Sequence, residues 1–204
     1  MSDARRIVRA RSIHEMYFFV SLTPCATCDA TIDAKSLRLD GQGDAWALTG
    51  ACPRCRARNA YTFRTYGDPV TAPAPRDELG GPSPSEIISP KRWNDEIDRV
   101  LPLVRPDPSA LTREEWYANR DANRRLLVCT NELLKFVPEG EGEIPDAALD
   151  VEGRADRADR PERYGRAWIS ALRATCLENR ARNVADLPRV EALECAAKAS
   201  RRRR

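Results

Sequence analysis

Hydrophobic residues recur with a period of two in the first third of the chain and with a period of about 3.6 in its second half. The stretch IHEMYFFVSL at 13–22 is rich in aromatic and β-branched residues, and apolar and polar positions alternate on both sides of GQGD at 41–44. These patterns predict a strand at 13–22, a hairpin at 36–50 and a further strand at 59–66. The first third is therefore expected to form a small antiparallel sheet.

Helical periodicity begins near residue 90. Ser89 precedes Pro90, which suits the first position of a helix, and Thr112 and Glu115 stand at capping-box spacing before an apolar run. About four helices are predicted, at 90–101, 112–137, 161–182 and 187–199.

The predicted fold class is therefore α+β, with the sheet in residues 1–66 and the helical domain in residues 91–204. Between them, residues 67–90 contain six prolines and little apolar content, which predicts a linker or an ordered meander. A chain of 204 residues with 42% hydrophobic content can fold as two such small domains.

No stretch of the sequence approaches the roughly 20 continuous apolar residues of a membrane-spanning helix. The start, MSDARRIVRAR, has no apolar signal region behind its charges. We expect no membrane association and a cytoplasmic location, and the excess of arginine over lysine favours a bacterial source.

Charge is unevenly distributed although the formal net charge is only +3. Residues 1–66 carry +4, residues 67–160 carry −7 and residues 161–204 carry +6. Basic ends around an acidic middle suit a protein partner of mixed charge, and the acidic segment itself is either a docking segment or an ordinary solvated loop.

Four of the seven cysteines form two C-x₂-C pairs, Cys25 with Cys28 and Cys52 with Cys55, separated by 23 residues. Four thiolates from two tight turns match the tetrahedral preference of Zn²⁺, and a hairpin of this length can bring the turns together. A redox C-x-x-C motif needs one pair at the start of a helix, whereas both pairs here lie among predicted strands. The three other cysteines, Cys129, Cys176 and Cys195, are expected to be inert thiols.

With flanking strands and a hairpin between its two pairs, the cysteine quartet resembles the zinc-ribbon fold group over residues 13–66. The resemblance implies a structural zinc in a closed four-cysteine shell, without which the sheet should unfold. Many such turns carry glycine after the second cysteine, where this chain has Asp29 and Arg56. The C-P-x-C half also looks like rubredoxin, which binds iron; the absent glycines make iron the less favoured metal.

Catalytic chemistry has few candidates in this sequence. His14 is the single histidine, and phosphate-binding glycine loops and metalloprotease motifs are absent. No enzymatic activity is expected.

Two surfaces are candidates for binding. Arg54, Arg56 and Arg58 surround the second cysteine pair, and with further basic residues they could contact nucleic acid while aromatic residues stack on bases. The further residues are Arg5, Arg6, Arg9, Arg11 and the terminal RRRR, and the aromatic residues are Tyr61, Phe63 and Tyr66. Alternatively, these arginines balance the −2 charge of the metal centre, and the aromatic residues form the core of the ribbon.

The second surface is the stripe of the long helix, where Trp116, Asn119 and Asn123 interrupt the apolar positions with amides. Buried amides need hydrogen-bond partners. The side chains of this stripe therefore either form hydrogen bonds within the helical domain or line a groove for another protein.

The ordered run of LTPCATCDA, GACPRC, YTFR, GGPSPSEIISPKRW and ELLKFVPEG is similar to uncharacterised bacterial proteins with a ribbon followed by helices. Some of these accompany secreted polymorphic toxins as immunity or accessory factors. The resemblance implies a non-enzymatic protein-binding factor; the alternative is a nucleic-acid-binding regulator that uses the arginines around the second cysteine pair.

Overall fold

The computed structural model describes residues 9–66 and 77–202. The fold is α+β, with a four-stranded mixed sheet near the N-terminus and five α-helices in the described residues. The chain divides into two compact units, residues 1–92 and residues 93–204. Residues 67–76, in the proline-rich stretch, lie outside the described residues.

The sheet of the first unit has the strand order β1-β4-β3-β2. Its strands are β1 (Arg9–Ala10), β2 (Arg38–Gln42), β3 (Ala45–Ala51) and β4 (Arg58–Thr65). The hairpin of β2 and β3 is confirmed, and β4 pairs antiparallel with β3. The two-residue strand β1 pairs parallel with β4, so the sheet is mixed where the sequence predicted a purely antiparallel one.

The strand predicted at 13–22 is wrong, because this segment is helix α1 (Ile13–Ser21). Ser12 caps the helix by accepting a hydrogen bond from the backbone N–H of Glu15. Met16 and Val20, spaced four residues apart, are buried together, and the rings of Phe19 and Phe63 meet edge to face at 5.7 Å. Helix α1 therefore covers one face of the sheet.

Residues 77–89 contain turns and bends, and three of their apolar side chains are buried: Leu79, Ile87 and Ile88. The hydroxyl of Ser12 donates to the carbonyl of Leu79, and the guanidinium of Arg11 donates to the carbonyl of Ser83. These bonds fix the segment to the start of α1.

The helical part begins at α2 (Pro90–Val100), as predicted, and a 3₁₀ turn at Leu101–Leu103 follows it. The other helices are α3 (Arg113–Leu134), α4 (Val151–Asp159) and α5 (Arg166–Arg202). The capping box of Thr112 and Glu115 is confirmed at the start of α3. The two helices predicted at 161–182 and 187–199 are one continuous helix, α5, which contains Pro188, and α4 was not predicted.

Helices α3 and α5 of the second unit pack against each other in antiparallel orientation. Residues near the end of α3 contact residues near the start of α5, and residues near the start of α3 contact residues near the end of α5. Asn131 accepts from Arg173, and at the other end the hydroxyl of Tyr117 donates to Glu194. The buried positions of α5 recur at helical spacing along this interface: Ile169, Cys176, Asn179, Asn183 and Val190.

Candidate metal centre

Two short turns present the four cysteines. The first turn follows α1, and the second joins β3 to β4. In each turn the first cysteine of the pair donates its N–H to the residue five positions later, and its carbonyl accepts from the residue four positions later. The bonds are Cys25 N to Ala30 O at 2.9 Å, Asp29 N to Cys25 O at 2.8 Å, Cys52 N to Ala57 O at 2.8 Å and Arg56 N to Cys52 O at 3.0 Å. The two turns thus have the same backbone conformation.

This conformation requires a left-handed residue after the second cysteine of each pair. Asp29 has φ 55° and Arg56 has φ 64°, the only described residues other than glycine with positive φ. Ribbon turns often have glycine at these two positions. Here the backbone is left-handed at both, although neither residue is glycine. Aspartate tolerates this region, whereas arginine adopts it at a cost of about 1–2 kcal/mol.

Replacement of Arg56 by glycine should consequently stabilise the first unit. We expect Arg56→Gly to raise its free energy of unfolding by up to about 1 kcal/mol, because the relieved strain exceeds the extra chain entropy that glycine loses on folding. The urea midpoint of the metal-loaded protein measures this change. Asp29→Gly is the matched control and should have a smaller effect; a destabilised Arg56→Gly variant would contradict the prediction.

The four sulfur atoms converge on one point and lie within 4.8 Å of one another. Two separations that cross between the turns are 3.7 Å, from Cys25 Sγ to Cys55 Sγ, and 3.6 Å, from Cys28 Sγ to Cys52 Sγ. These separations are far longer than the roughly 2.05 Å of a disulfide. They are close to the edge of about 3.8 Å that a tetrahedron with metal–sulfur bonds of about 2.3 Å requires. The cluster can therefore hold a four-coordinate metal ion.

The four thiols have different pKa values because their surroundings differ. The pKa of Cys25 is lowered to about 6, chiefly because the backbone N–H of Thr27 stabilises its thiolate. The backbone N–H of Cys55 similarly lowers the pKa of Cys52. The N–H of Ala57 favours the Cys55 thiolate, but burial and the three neighbouring cysteines raise the pKa of Cys55 to about 12. Ionisation of all four thiols therefore requires a cation to balance their charge.

The coordination shell would be complete with these four ligands. Cys25 and Cys52 are fully buried, and Cys28 and Cys55 are partly exposed. A four-thiolate shell has no position for water or substrate, which is typical of a structural site. His14 lies exposed on α1 and not at the start of a strand.

The remaining cysteines do not join the cluster. Cys129 and Cys176 are buried in the second unit, and Cys195 is exposed on α5. Burial raises the pKa of Cys176 to about 11 and the pKa of Cys129 well above its ordinary value. Both buried cysteines therefore remain protonated at neutral pH.

The three arginines near the second cysteine pair are exposed. Arg54, Arg56 and Arg58 form no ion pair with a described residue. Arg11, in contrast, is buried against Glu15 and is not available to a ligand. Arg5, Arg6 and residues 203–204 lie outside the described residues.

Trp116, Asn119 and Asn123 are placed inside the second unit, where all three are buried. Asn119 accepts from the backbone N–H of Arg105 at 2.6 Å, and Asn123 donates to the carbonyl of Cys176 at 2.9 Å. The two asparagines thus bond within the helical unit, and the three buried side chains do not line an open groove.

Sequence reasoning did not find the outer face of α5, an exposed stripe on the side opposite to α3. Its members are Ala174, Leu177, Ala181, Val184 and Pro188. Their spacing of three and four residues is a helical signal, but Pro188 obscured it because proline usually ends a helix.

No protein-family model, curated protein or solved structure matches this chain significantly. Among the described helices, none combines the length and the apolar character that crossing a membrane requires.

Proposed function

We propose that the chain is a non-enzymatic protein-binding factor in which a structural zinc ion stabilises the first unit and the helical unit provides the contact surface. The zinc assignment is supported by the four sulfurs within 4.8 Å of one another, contributed by two turns of matching geometry. Zn²⁺ has no ligand-field preference and favours such tetrahedral thiolate shells. Elemental analysis of the purified protein should find one zinc per chain; a red, iron-containing protein would contradict the assignment.

The absence of enzymatic activity is part of this proposal. It is supported by the closed coordination shell and by the exposed position of the single histidine, His14, on α1. Because a four-thiolate site needs reduced cysteines, we place the protein in the reducing cytoplasm. The resemblance of the sequence to bacterial ribbon-plus-helices proteins supports an accessory or toxin-immunity-like role.

The outer face of α5 is the single observation that carries protein binding. Leu177 and Val184 are 38% and 64% exposed, and alanine and proline occupy the positions between and after them. The stripe extends over 15 residues, from 174 to 188, and its 14 residue steps correspond to about 21 Å of helix. A long exposed apolar stripe is typical of a surface that a partner covers. The partner segment that fits this stripe is an amphipathic helix with small apolar side chains at positions i, i+3, i+4 and i+7.

Introduction of a charge on this face should abolish partner binding. We expect Val184→Glu to lose the polypeptide that copurifies with the tagged wild-type protein, because a carboxylate in an apolar interface would be buried without a partner. Native mass spectrometry of the complexes measures the loss.

Val151→Glu is the matched control, because Val151 is 75% exposed and lies at the start of α4, where an acidic side chain is favourable. This variant should keep the partner. Retention of the same polypeptide by Val184→Glu would show that the outer face of α5 is not the contact surface.

A further inference from the structure

The face of the sheet opposite α1 is exposed. Residues of β3 and β4 that are directly opposite each other share a face, and the side that bears Phe63 is covered by α1. The open side has short side chains at its centre, all partly or fully exposed: Ala47, Thr49, Ala60 and Thr62. We call this surface, with its surrounding arginines, the open sheet face.

Arginines surround these short side chains. Arg9, Arg38, Arg58 and Arg64 lie at positions of the open sheet face, and the adjoining turn adds Arg54 and Arg56. Between Arg58 and Arg64, the six-residue separation along β4 corresponds to about 20 Å.

Few acidic groups oppose this charge. Asp40 pairs with Arg38 at 2.8 Å, and Asp44 pairs with Arg64 at 2.7 Å. In both pairs each side chain is at least 44% exposed, so solvent screens the attraction and the arginines can exchange partners at little cost. The arginines of the cysteine turn have no carboxylate partner among the described residues.

We propose that the open sheet face binds the phosphate backbone of a nucleic acid. Guanidinium groups bind phosphate oxygens through two parallel hydrogen bonds, and the short side chains of alanine and threonine at the centre let a strand approach without steric hindrance. An acidic protein partner would be expected to meet a central apolar or aromatic anchor, and the centre of this face has none. This inference concerns the first unit alone and is independent of the outer face of α5.

The recognition is independent of base sequence. Tyr61 and Phe63, two of the expected stacking residues, point to the side of the sheet covered by α1. The third, Tyr66, has the guanidinium of Arg9 over its ring at 5.2 Å, and its hydroxyl donates to Glu86. Without stacking or base-edge contacts, affinity comes from phosphate neutralisation. A dissociation constant of about 10⁻⁴–10⁻⁶ M at physiological salt is then expected, with strong weakening as salt rises.

The test is fluorescence anisotropy of a labelled single-stranded 20-mer of mixed sequence, titrated with the zinc-loaded full chain at several salt concentrations. Arg56→Gly removes one cation and also removes the strain of a non-glycine residue with positive φ. The variant should therefore fold at least as well as the wild type, and weaker binding would not come from misfolding. We expect it to weaken binding about threefold to tenfold and to reduce the salt slope by about 0.7.

Asp29→Gly is the matched control, because it makes the same backbone change in the first turn and removes a negative charge. It should bind at least as tightly as the wild type. Ala60→Glu puts a carboxylate at the centre of the face and should weaken binding by more than tenfold, whereas Val151→Glu at the start of α4 should have no effect.

Three results would overturn the proposal. They are no wild-type binding below about 10⁻⁴ M at physiological salt, equal affinities of Arg56→Gly and Asp29→Gly, and displacement of the oligonucleotide by polyglutamate at equal charge concentration. The last result would assign the face to an acidic protein.

Discussion

Removal of the metal should unfold the first unit and leave the helices of the second unit intact. The binding free energy of a structural zinc site is about 10–16 kcal/mol at neutral pH, which is comparable with the whole stability of a small domain. Here the ion would hold together two turns, at Cys25–Cys28 and Cys52–Cys55. The first turn follows α1, and the second joins β3 to β4. Without the ion, the four sulfurs could not all be ionised together, and the attraction between the turns would be lost.

Hydrogen exchange measured with and without a zinc chelator tests this expectation. The amides of β3 and β4 should lose their protection, while those of α3 and α5 should keep it. Cys52→Ser, which removes a fully buried ligand, should reproduce the effect of the chelator.

Cys195→Ser is the control, since Cys195 is exposed and lies outside the cluster. It should retain one zinc per chain and full protection. Protected β3 and β4 amides in the metal-free protein would show that the sheet does not depend on the metal.

Glu15→Ala should destabilise the first unit by about 3–5 kcal/mol, because it removes the buried carboxylate that pairs with the buried guanidinium of Arg11. The Glu15 side chain is 0% exposed and the Arg11 side chain 6%. The carboxylate accepts from the backbone N–H of Arg11 at 2.6 Å and from its Nε and Nη2 at 2.9 and 2.6 Å. Arg11 in turn donates to the carbonyl of Ser83. One carboxylate thus supports both the start of α1 and the attachment of residues 77–89.

The urea midpoint of the zinc-loaded protein, followed through the amides of α1 and β4, measures this cost. The double variant Arg11→Met, Glu15→Leu should be less destabilised than Glu15→Ala, because it leaves no unpaired charge in the interior. Asp40→Ala breaks the exposed pair with Arg38 and should change stability by less than about 1 kcal/mol. A Glu15→Ala variant as stable as Asp40→Ala would refute the prediction.

Local signals in the sequence were sufficient for most of the elements. Thr112 and Glu115 predicted the start of α3, and Pro90 predicted the start of α2, because the unsatisfied N–H groups of a helix terminus are met by neighbouring residues. The hairpin of β2 and β3 was likewise visible in the alternation around GQGD, where Gly43 adopts φ 61°.

The strand predicted at 13–22 is wrong because a capping signal and tertiary packing outweigh the aromatic and β-branched content of the segment. Ser12 and Glu15 stand at capping-box spacing, the signal that was accepted at Thr112 and Glu115. The packing of Phe19 on Phe63 and the burial of Met16 and Val20 favour the helix over the intrinsic preference of the segment.

The continuity of α5 depends on a distant part of the chain. Pro188 predicted a break, but Val190 beyond it is fully buried, and Arg189 donates to the carbonyls of Leu111 and Pro108. Packing on both sides of the proline offsets the lost backbone hydrogen bond. The same packing buries Trp116, Asn119 and Asn123, so the stripe predicted as a possible partner surface is an internal interface.

The sequence by itself determined the α+β class, the main helix starts, the hairpin and the four cysteines of the candidate metal centre. The class, the helix starts and the hairpin depend on residues close in sequence. The metal centre depends on cysteine, whose thiolate chemistry has few uses in proteins. Only the tertiary structure decided that 13–22 is helical, that α5 continues through Pro188, and which faces remain open. A face is covered or open according to elements distant along the chain, and spacing within one segment carries no information about them.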